Sequence, residues 1–295
     1  MSTTYATPDT VAEACALLEA PGANALAGGV AFTMALTKGQ IDPASIVSLA
    51  RIDGLRGVTA EPAGGLSIGA LATHGQLLRE ERIAAHEPQL RELFADVGNV
   101  RVRAVGTLGG NLAYADPRHD PAPLLGALGA EVVIESSTSR RTVLVADFAT
   151  GSFATVLQPG ELLCSINVPA RSAGTRIGWC KLQTNSLDDY ATLSLAVGFE
   201  ESNGRITQPR ILVGAADTHV RTQRAAALLD GADVDADGRV ASELIEEVAD
   251  ALAADIKPCS NHRGSAMYKR DLVRVALNRA MVRTAKPSLA EGCSR

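Results

Sequence analysis

A glycine pair, Gly28-Gly29, separates a short apolar run, Asn24 to Ala27, from a helical pattern over Ala31 to Lys38 that Gly39 closes. Strand, glycine turn and helix follow one another. That order recurs along the N-terminal half. Val11, Ala14, Cys15 and Leu18 have helical spacing, with Asp9 or Thr10 placed to cap. Ser45 to Leu49 and Leu66 to Ala70 read as strands, and Thr73 stands where it can cap a helix running to Arg79. Pro88 to Val97 and Pro121 to Leu128 read as helices. Glu131 to Glu135, Thr142 to Val145 and Glu161 to Val168 read as strands. The stretch from Val102 to Asp120 interrupts the alternation, because Gly106, Gly109, Gly110 and Pro117 leave few consecutive apolar residues. Much of it is expected to be loop. Alternating helices and strands give this half an α/β reading.

Small and polar residues from Pro169 to Gly174 mark a linker. Beyond it, Arg176 to Leu182, Ala191 to Glu200 and Arg205 to Ala215 are strand-like, and the last two are joined by Ser202-Asn203-Gly204, a hairpin signal. Helical patterns follow near Arg221 to Leu229, Ala241 to Ala254 and Arg263 to Arg283. Strands first and helices afterwards describe an α+β unit, a three-stranded antiparallel sheet with a helical bundle on one face. A length of 295 residues accommodates two such units, residues 1–172 and 173–295.

A net charge of -5 argues against a general binder of phosphate backbones, which needs clustered Lys and Arg. Apolar runs such as Ala191 to Phe199 are strand-sized, so no transmembrane segment is expected. No basic cluster and apolar stretch open the chain, and the expected compartment is the cytoplasm. Cys15, Cys164, Cys180, Cys259 and Cys293 form no C-x-x-C pair, which leaves them as packing residues or free thiols. Any iron–sulfur clusters would sit on another chain. His74, His86, His119, His219 and His262 lack zinc-site spacing, and most are expected at the surface or at helix caps. Neither a G-x-S-x-G elbow nor a P-loop is present.

The remaining features suit a cofactor clamp. Glycines ahead of a helix let the backbone approach a phosphate, and the helix N-terminus offers free N–H donors; the same glycines also serve as simple turns. Thr107-Leu108-Gly109-Gly110-Asn111 is a second loop of this kind, and neither loop has the G-x-G-x-x-G spacing of a Rossmann site. Asp116 and Asp120 offer carboxylates to ribose or ribityl hydroxyls, although Asp120, just before Pro121, also reads as a helix N-cap. Asp188-Asp189-Tyr190 precedes a strand and is otherwise a solvated acidic pair.

Ala27-Gly28-Gly29-Val30-Ala31 and the run from Thr107 to Asp120, T-x-G-G-N-x-x-x-A-D-P-x-x-D, resemble the two flavin loops of the molybdenum hydroxylase flavoproteins. That family includes the medium subunit of aerobic carbon monoxide dehydrogenase and the FAD domain of xanthine dehydrogenase. Leu66-Ser67-Ile68-Gly69-Ala70, Lys181 with Asp188-Asp189-Tyr190, and Arg263-Gly264-Ser265-Ala266 with Tyr268 extend the likeness over nearly the whole chain.

The resemblance implies a vanillyl-alcohol-oxidase-like FAD fold, with subdomains at about 1–55 and 56–172. It implies that Leu26, Ala27, Gly28, Gly29, Val30, Ala31, Phe32 and Thr33 wrap the FAD pyrophosphate. Thr107, Gly109, Gly110 and Asn111 would contact the dinucleotide, with Asp120 holding a polar group of it. Tyr114, Leu163 and Lys181 would lie near the isoalloxazine, where a lysine charge favours reduced, anionic flavin. It further implies a molybdenum-cofactor large subunit and a [2Fe-2S] small subunit as partners, in a heterotrimer or a dimer of heterotrimers, with no catalytic acid or base from this chain. Ala31 stands where the family usually has serine, with Thr33 as a substitute contact, and Asn185 stands where an arginine is common. The alternatives are a free-standing FAD-dependent oxidase or reductase, which would need its own substrate cavity, and an assembly protein without cofactor.

Overall fold

The computed structural model describes residues 3–285 except 185, 187, 188 and 217, with side chains left undescribed at 218–221. Asn185, Asp188, Cys293 and the side chain of His219 therefore lie outside the described residues.

Three parallel strands begin the fold: β1 (Thr4–Ala6), β2 (Ala23–Leu26) and β3 (Ser45–Ser48), in the order β1-β3-β2. Helix α1 (Val11–Leu18) carries Ala14 and Cys15 inward, and the Thr10 hydroxyl caps it by accepting from the Glu13 amide. Helix α2 (Val30–Thr37) starts at Gly29, whose φ of 77° turns the chain sharply out of β2.

A five-stranded antiparallel sheet follows, in the order β4-β5-β10-β6-β7. Its strands are β4 (Val58–Ala60), β5 (Leu66–Gly69), β6 (Glu131–Glu135), β7 (Arg140–Leu144) and β10 (Leu162–Val168); the short ribbon β8 (Ala149–Gly151) and β9 (Ala154–Thr155) lies between β7 and β10. Between β5 and β6 run α3 (His74–Arg79), α4 (Glu81–His86), α5 (Pro88–Asp96), α6 (Val100–Val105), α7 (Leu108–Tyr114) and α8 (Pro121–Ala127), and α9 (Val145–Phe148) follows β7. Leu90, Leu93 and Phe94 of α5 are fully buried and Val97 nearly so, the i, i+3, i+4, i+7 stripe of a helix with one apolar face. Burying each such side chain stabilises by about 1.5–3 kcal/mol before entropy is counted.

The stretch expected to be largely loop holds two helices, α6 and α7. Asn99 Oδ1 accepts from the Arg101 and Val102 amides, and Thr107 Oγ1 accepts from the Gly110 amide, so each helix has a polar cap at its first turn. Those caps, together with burial of Leu108 and Leu112, offset the poor helix propensity of glycine.

The last sheet contains the three expected strands, β11 (Thr175–Leu182), β12 (Leu193–Ser202) and β13 (Arg205–Ala216), and adds β14 (Thr218–Arg221). Asn203 and Gly204 both have positive φ, as the hairpin turn between β12 and β13 requires. Helices α10 (Gln223–Leu229), α11 (Ser242–Asp255) and α12 (Ala266–Ala285) cover one face, over Cys180, Leu182, Leu193, Leu195, Ile211 and Val213. The opposite face is buried too: Ile177, Trp179, Ala196 and Leu212 join the core that α5 and α8 build with the middle sheet. Strand alternation explains the division, and it places Lys181 on the same side as Ile177 and Trp179.

Candidate functional site

The two glycine loops meet along one cleft of 590 Å³, within the roughly 300–1,000 Å³ usual for cofactor sites. Their approach is close. A Cβ built on Gly28 would fall 1.9 Å from the Val105 carbonyl oxygen, and one on Gly109 would fall 2.5 Å from the Ala70 Cβ. Only glycine permits this spacing. The second loop is stitched to the end of β5 through Leu108 N to Ala72 O (3.0 Å) and Gly109 N to Ala70 O (2.9 Å). Among the described residues no hydrogen bond engages the amides of Val30, Ala31 and Phe32, the first turn of α2. They are free donors at the positive end of a helix dipole.

Of the residues singled out in the sequence, Ala27 to Phe32, Thr107, Gly109, Gly110, Asn111, Tyr114, Asp120 and Leu163 line this cleft. Leu26, Thr33, Asp116 and Lys181 stand behind its wall. Leu26 and Thr33 flank Gly29, and the Thr33 amide is used within the turn, donating to Gly29 O. Asp116 is 1% exposed and turned to Arg118, which donates from Nε to Oδ1 (2.8 Å), from Nη2 to Oδ2 (2.5 Å) and from its amide to Oδ1 (3.0 Å). Burial works against its charge, and the Arg118 hydrogen bonds outweigh that and hold the carboxyl below its usual range. Asp116 thus reaches the cleft through Arg118.

Asp120 does occupy the N-cap position of α8, but with helical φ and ψ and no capping hydrogen bond from its side chain. Its Oδ2 accepts from Lys181 Nζ at 2.8 Å, and Nζ also donates to Asp96 O at 2.9 Å. Burial pushes the Asp120 carboxyl up to about 6, against the pull of Lys181. Asp120 Oδ1 and Asn111 Oδ1, both on residues of the cleft wall, are buried without a hydrogen-bond partner.

Several lining residues escaped the sequence reading. His74, expected at the surface or a cap, is 2% exposed, tilted against Phe94 with ring centroids 5.9 Å apart, and lowered by burial to about 3. Its amide donates to Gly106 O, so the ring sits beneath the second loop. Nothing in the sequence around Thr73-His74 distinguishes a cap from a wall residue. Val97, Gly98 and Asn99 also line the cleft, and so do Arg118, His119, Asp189 and Tyr190, which the sequence offered only as part of the family likeness. Tyr190 lies under the Arg118 guanidinium (4.4 Å) and near that of Arg263 (5.4 Å), and stacks with His119 at 6.1 Å. Arg263 Nη2 donates to Asp189 Oδ1 at 2.5 Å, which ties the loop before α12 to the cleft mouth.

Residues 1–171 match the family described as the FAD binding domain in molybdopterin dehydrogenase, and residues 180–284 match the CO dehydrogenase flavoprotein C-terminal domain. The chain belongs to this FAD-binding family. The carbon monoxide dehydrogenase medium chain of Afipia carboxidovorans is 32% identical over 282 residues, 95% of each chain. The glyceraldehyde dehydrogenase medium chain of Sulfolobus acidocaldarius is 28% identical over 95% of this chain and 98% of its own. Among solved structures, carbon monoxide dehydrogenase from Hydrogenophaga pseudoflava aligns with a TM-score of 0.89 at 31% identity, over 96% of this chain and 97% of that one. The residues present fit the family's cofactor: free amides at α2, a glycine at 28 that lets its loop close against the Val105 carbonyl, and unsatisfied polar atoms on the cleft wall are what a dinucleotide needs. Among the described residues no helix is long and apolar enough to cross a membrane.

Proposed function

We propose that the cleft holds FAD and that the chain works as the electron-transferring medium subunit of a molybdenum hydroxylase. It would take electrons from [2Fe-2S] clusters of a small subunit, downstream of a large subunit with the molybdenum cofactor, and deliver them to an external acceptor. The assembly is a heterotrimer, or two heterotrimers about a twofold axis. We read residues 1–172 as the FAD-binding unit and residues 173–295 as a second, α+β domain.

The observation that carries the proposal is the convergence of two glycine loops, one with uncapped helix donors, on a single cleft. The amides of Val30, Ala31 and Phe32 bind the diphosphate, and Thr107, Gly109, Gly110 and Asn111 face it from the other side. Asp120 and Asn111 accept hydrogen bonds from the cofactor's polar groups. Tyr114 and Leu163 shape the apolar part of the site and exclude water. Lys181 acts from behind Asp120, compensating its charge. FAD supplies the coupling between one-electron donors and a two-electron acceptor.

Native purification followed by flavin, iron and molybdenum analysis tests this. The expected result is one FAD per chain, with iron and molybdenum on two accompanying chains. A chain that purifies alone, colourless and unable to take up FAD would contradict it.

A further inference from the structure

Strand β11 is the edge of its sheet, so the backbone groups on its outer side lack a neighbouring strand. Helix α5 supplies partners instead. Gln89 Nε2 donates to Ile177 O at 2.7 Å, and Gln89 Oε1 accepts from Trp179 N at 2.9 Å, so one side-chain amide does the work of one residue of a missing strand. At the other end of α5 the Asp96 carbonyl accepts from Lys181 Nζ at 2.9 Å. Gln89 and Asp96 are about 10 Å apart along the helix, and residues 177 to 181 span about 13 Å of strand, so the two elements can be laced at both ends. Gln89 itself is fixed. Its amide donates to Oε1 of the buried Glu87, whose Oε2 is 2.7 Å from Arg171 Nη1, while Arg171 Nη2 donates to Thr175 O at the start of β11.

We infer that Gln89 is a positioning residue for the flavin site: it sets β11 so that the Lys181 ammonium meets Asp120 at the cleft wall. The inference rests on the FAD reading above. Lys181 is 2% exposed and reaches the cleft only through Asp120. If β11 loosens, the ammonium withdraws and its pull on the Asp120 carboxyl is lost, so on the alkaline side of neutrality, where Asp120 stays ionised, an uncompensated carboxylate faces the cofactor, and the effect is read there. A negative charge there opposes the gain of negative charge on reduction, so the midpoint potential of the bound flavin falls.

The test uses the natively purified, FAD-loaded protein with its accompanying chains, read by spectroelectrochemical titration. Gln89→Met, which keeps volume and removes both hydrogen bonds, is expected to shift the flavin midpoint to a more negative value. Gln89→Glu, which keeps the acceptor for Trp179 N, is expected to give a smaller shift in the same direction, and stands in should Gln89→Met fail to fold. In a background with the pair removed, Asp120→Asn with Lys181→Met, the Gln89 substitutions are expected to have no further effect on the potential. An unchanged potential, or the same shift in both backgrounds, would overturn the inference. A wild-type protein without flavin would instead overturn the FAD reading itself, and that is seen before any variant is made.

Discussion

Lys181 and Asp120 form a buried ion pair across the two halves of the chain, with Nζ 2.8 Å from Oδ2 and the two side chains 2% and 7% exposed. Lys181 comes from an edge strand of the C-terminal sheet and Asp120 from the loop that follows the second glycine pair. The pair places a compensated charge beside the cleft and ties the C-terminal sheet to it.

Removing one partner is expected to cost more than removing both. Lys181→Met leaves a buried carboxylate alone and should lower the free energy of unfolding by about 3–5 kcal/mol, whereas Asp120→Asn combined with Lys181→Met should cost markedly less. Urea denaturation at neutral pH checks this. A Lys181→Met protein as stable as the wild type would show that the pair is not buried in solution.

His74 should make the fold acid-sensitive. Its folded value of about 3 lies below the ordinary 6.5 because burial disfavours the cation. The unfolded chain therefore binds a proton that the folded chain refuses, so stability is full above pH 6.5 and is lost as pH falls toward 3, by up to the order of 5 kcal/mol. Asp120, raised to about 6, acts in the opposite sense between about pH 4 and 6, so the comparison is made against His74→Gln in the same chain. Unfolding free energies at several pH values should show the advantage of His74→Gln growing as pH falls. Parallel curves would mean that the imidazole titrates freely.

Two glycine substitutions should fail in different ways. A Cβ at Gly28 collides with backbone, the Val105 carbonyl, so Gly28→Ala should force the loops apart and destabilise by about 1–3 kcal/mol or more even without ligand. Gly110 is less crowded: its Cβ would meet the Thr107 hydroxyl at 2.8 Å and the Ala27 Cβ at 3.6 Å. Gly110→Val should therefore keep a folded chain and lose FAD. Thermal melts and flavin content separate the two effects, and normal flavin occupancy in Gly110→Val would contradict the assigned contact.

Asp116→Ala frees Arg118 from its two-point hold and with it the cation over Tyr190. Charge-assisted hydrogen bonds of this kind contribute about 1.5–3 kcal/mol, so FAD affinity is expected to fall on the order of tenfold or more. Fluorescence titration of the deflavinated protein with FAD measures this. An unchanged affinity would place Arg118 outside the site.

Periodic segments could be read from the sequence because their apolar spacing is itself what buries them: α1, α5, β6 and β11 to β13 lie within a few residues of expectation. Thr107 to Gly110 could not be, since glycine suggests loop until the cap on Gly110 and the fit against Ala70 are known. Asp120 shows the same limit. Its position before Pro121 suggests a cap, and only the distant Lys181 gives its carboxylate another partner. The glycine loops were legible as places of close backbone approach because their chemistry is local to the backbone. His74 and Gln89 were not, because each takes its role from a segment far away in sequence.

In the proposed site both glycine loops grip one diphosphate. A density map of the natively purified protein tests it most directly. FAD is expected in the cleft, with diphosphate oxygens within hydrogen-bond distance of the amides of Val30, Ala31 or Phe32 and of the loop holding Gly110. A flavin bound elsewhere, or a cleft in which side chains occupy the space between the two loops, would contradict it.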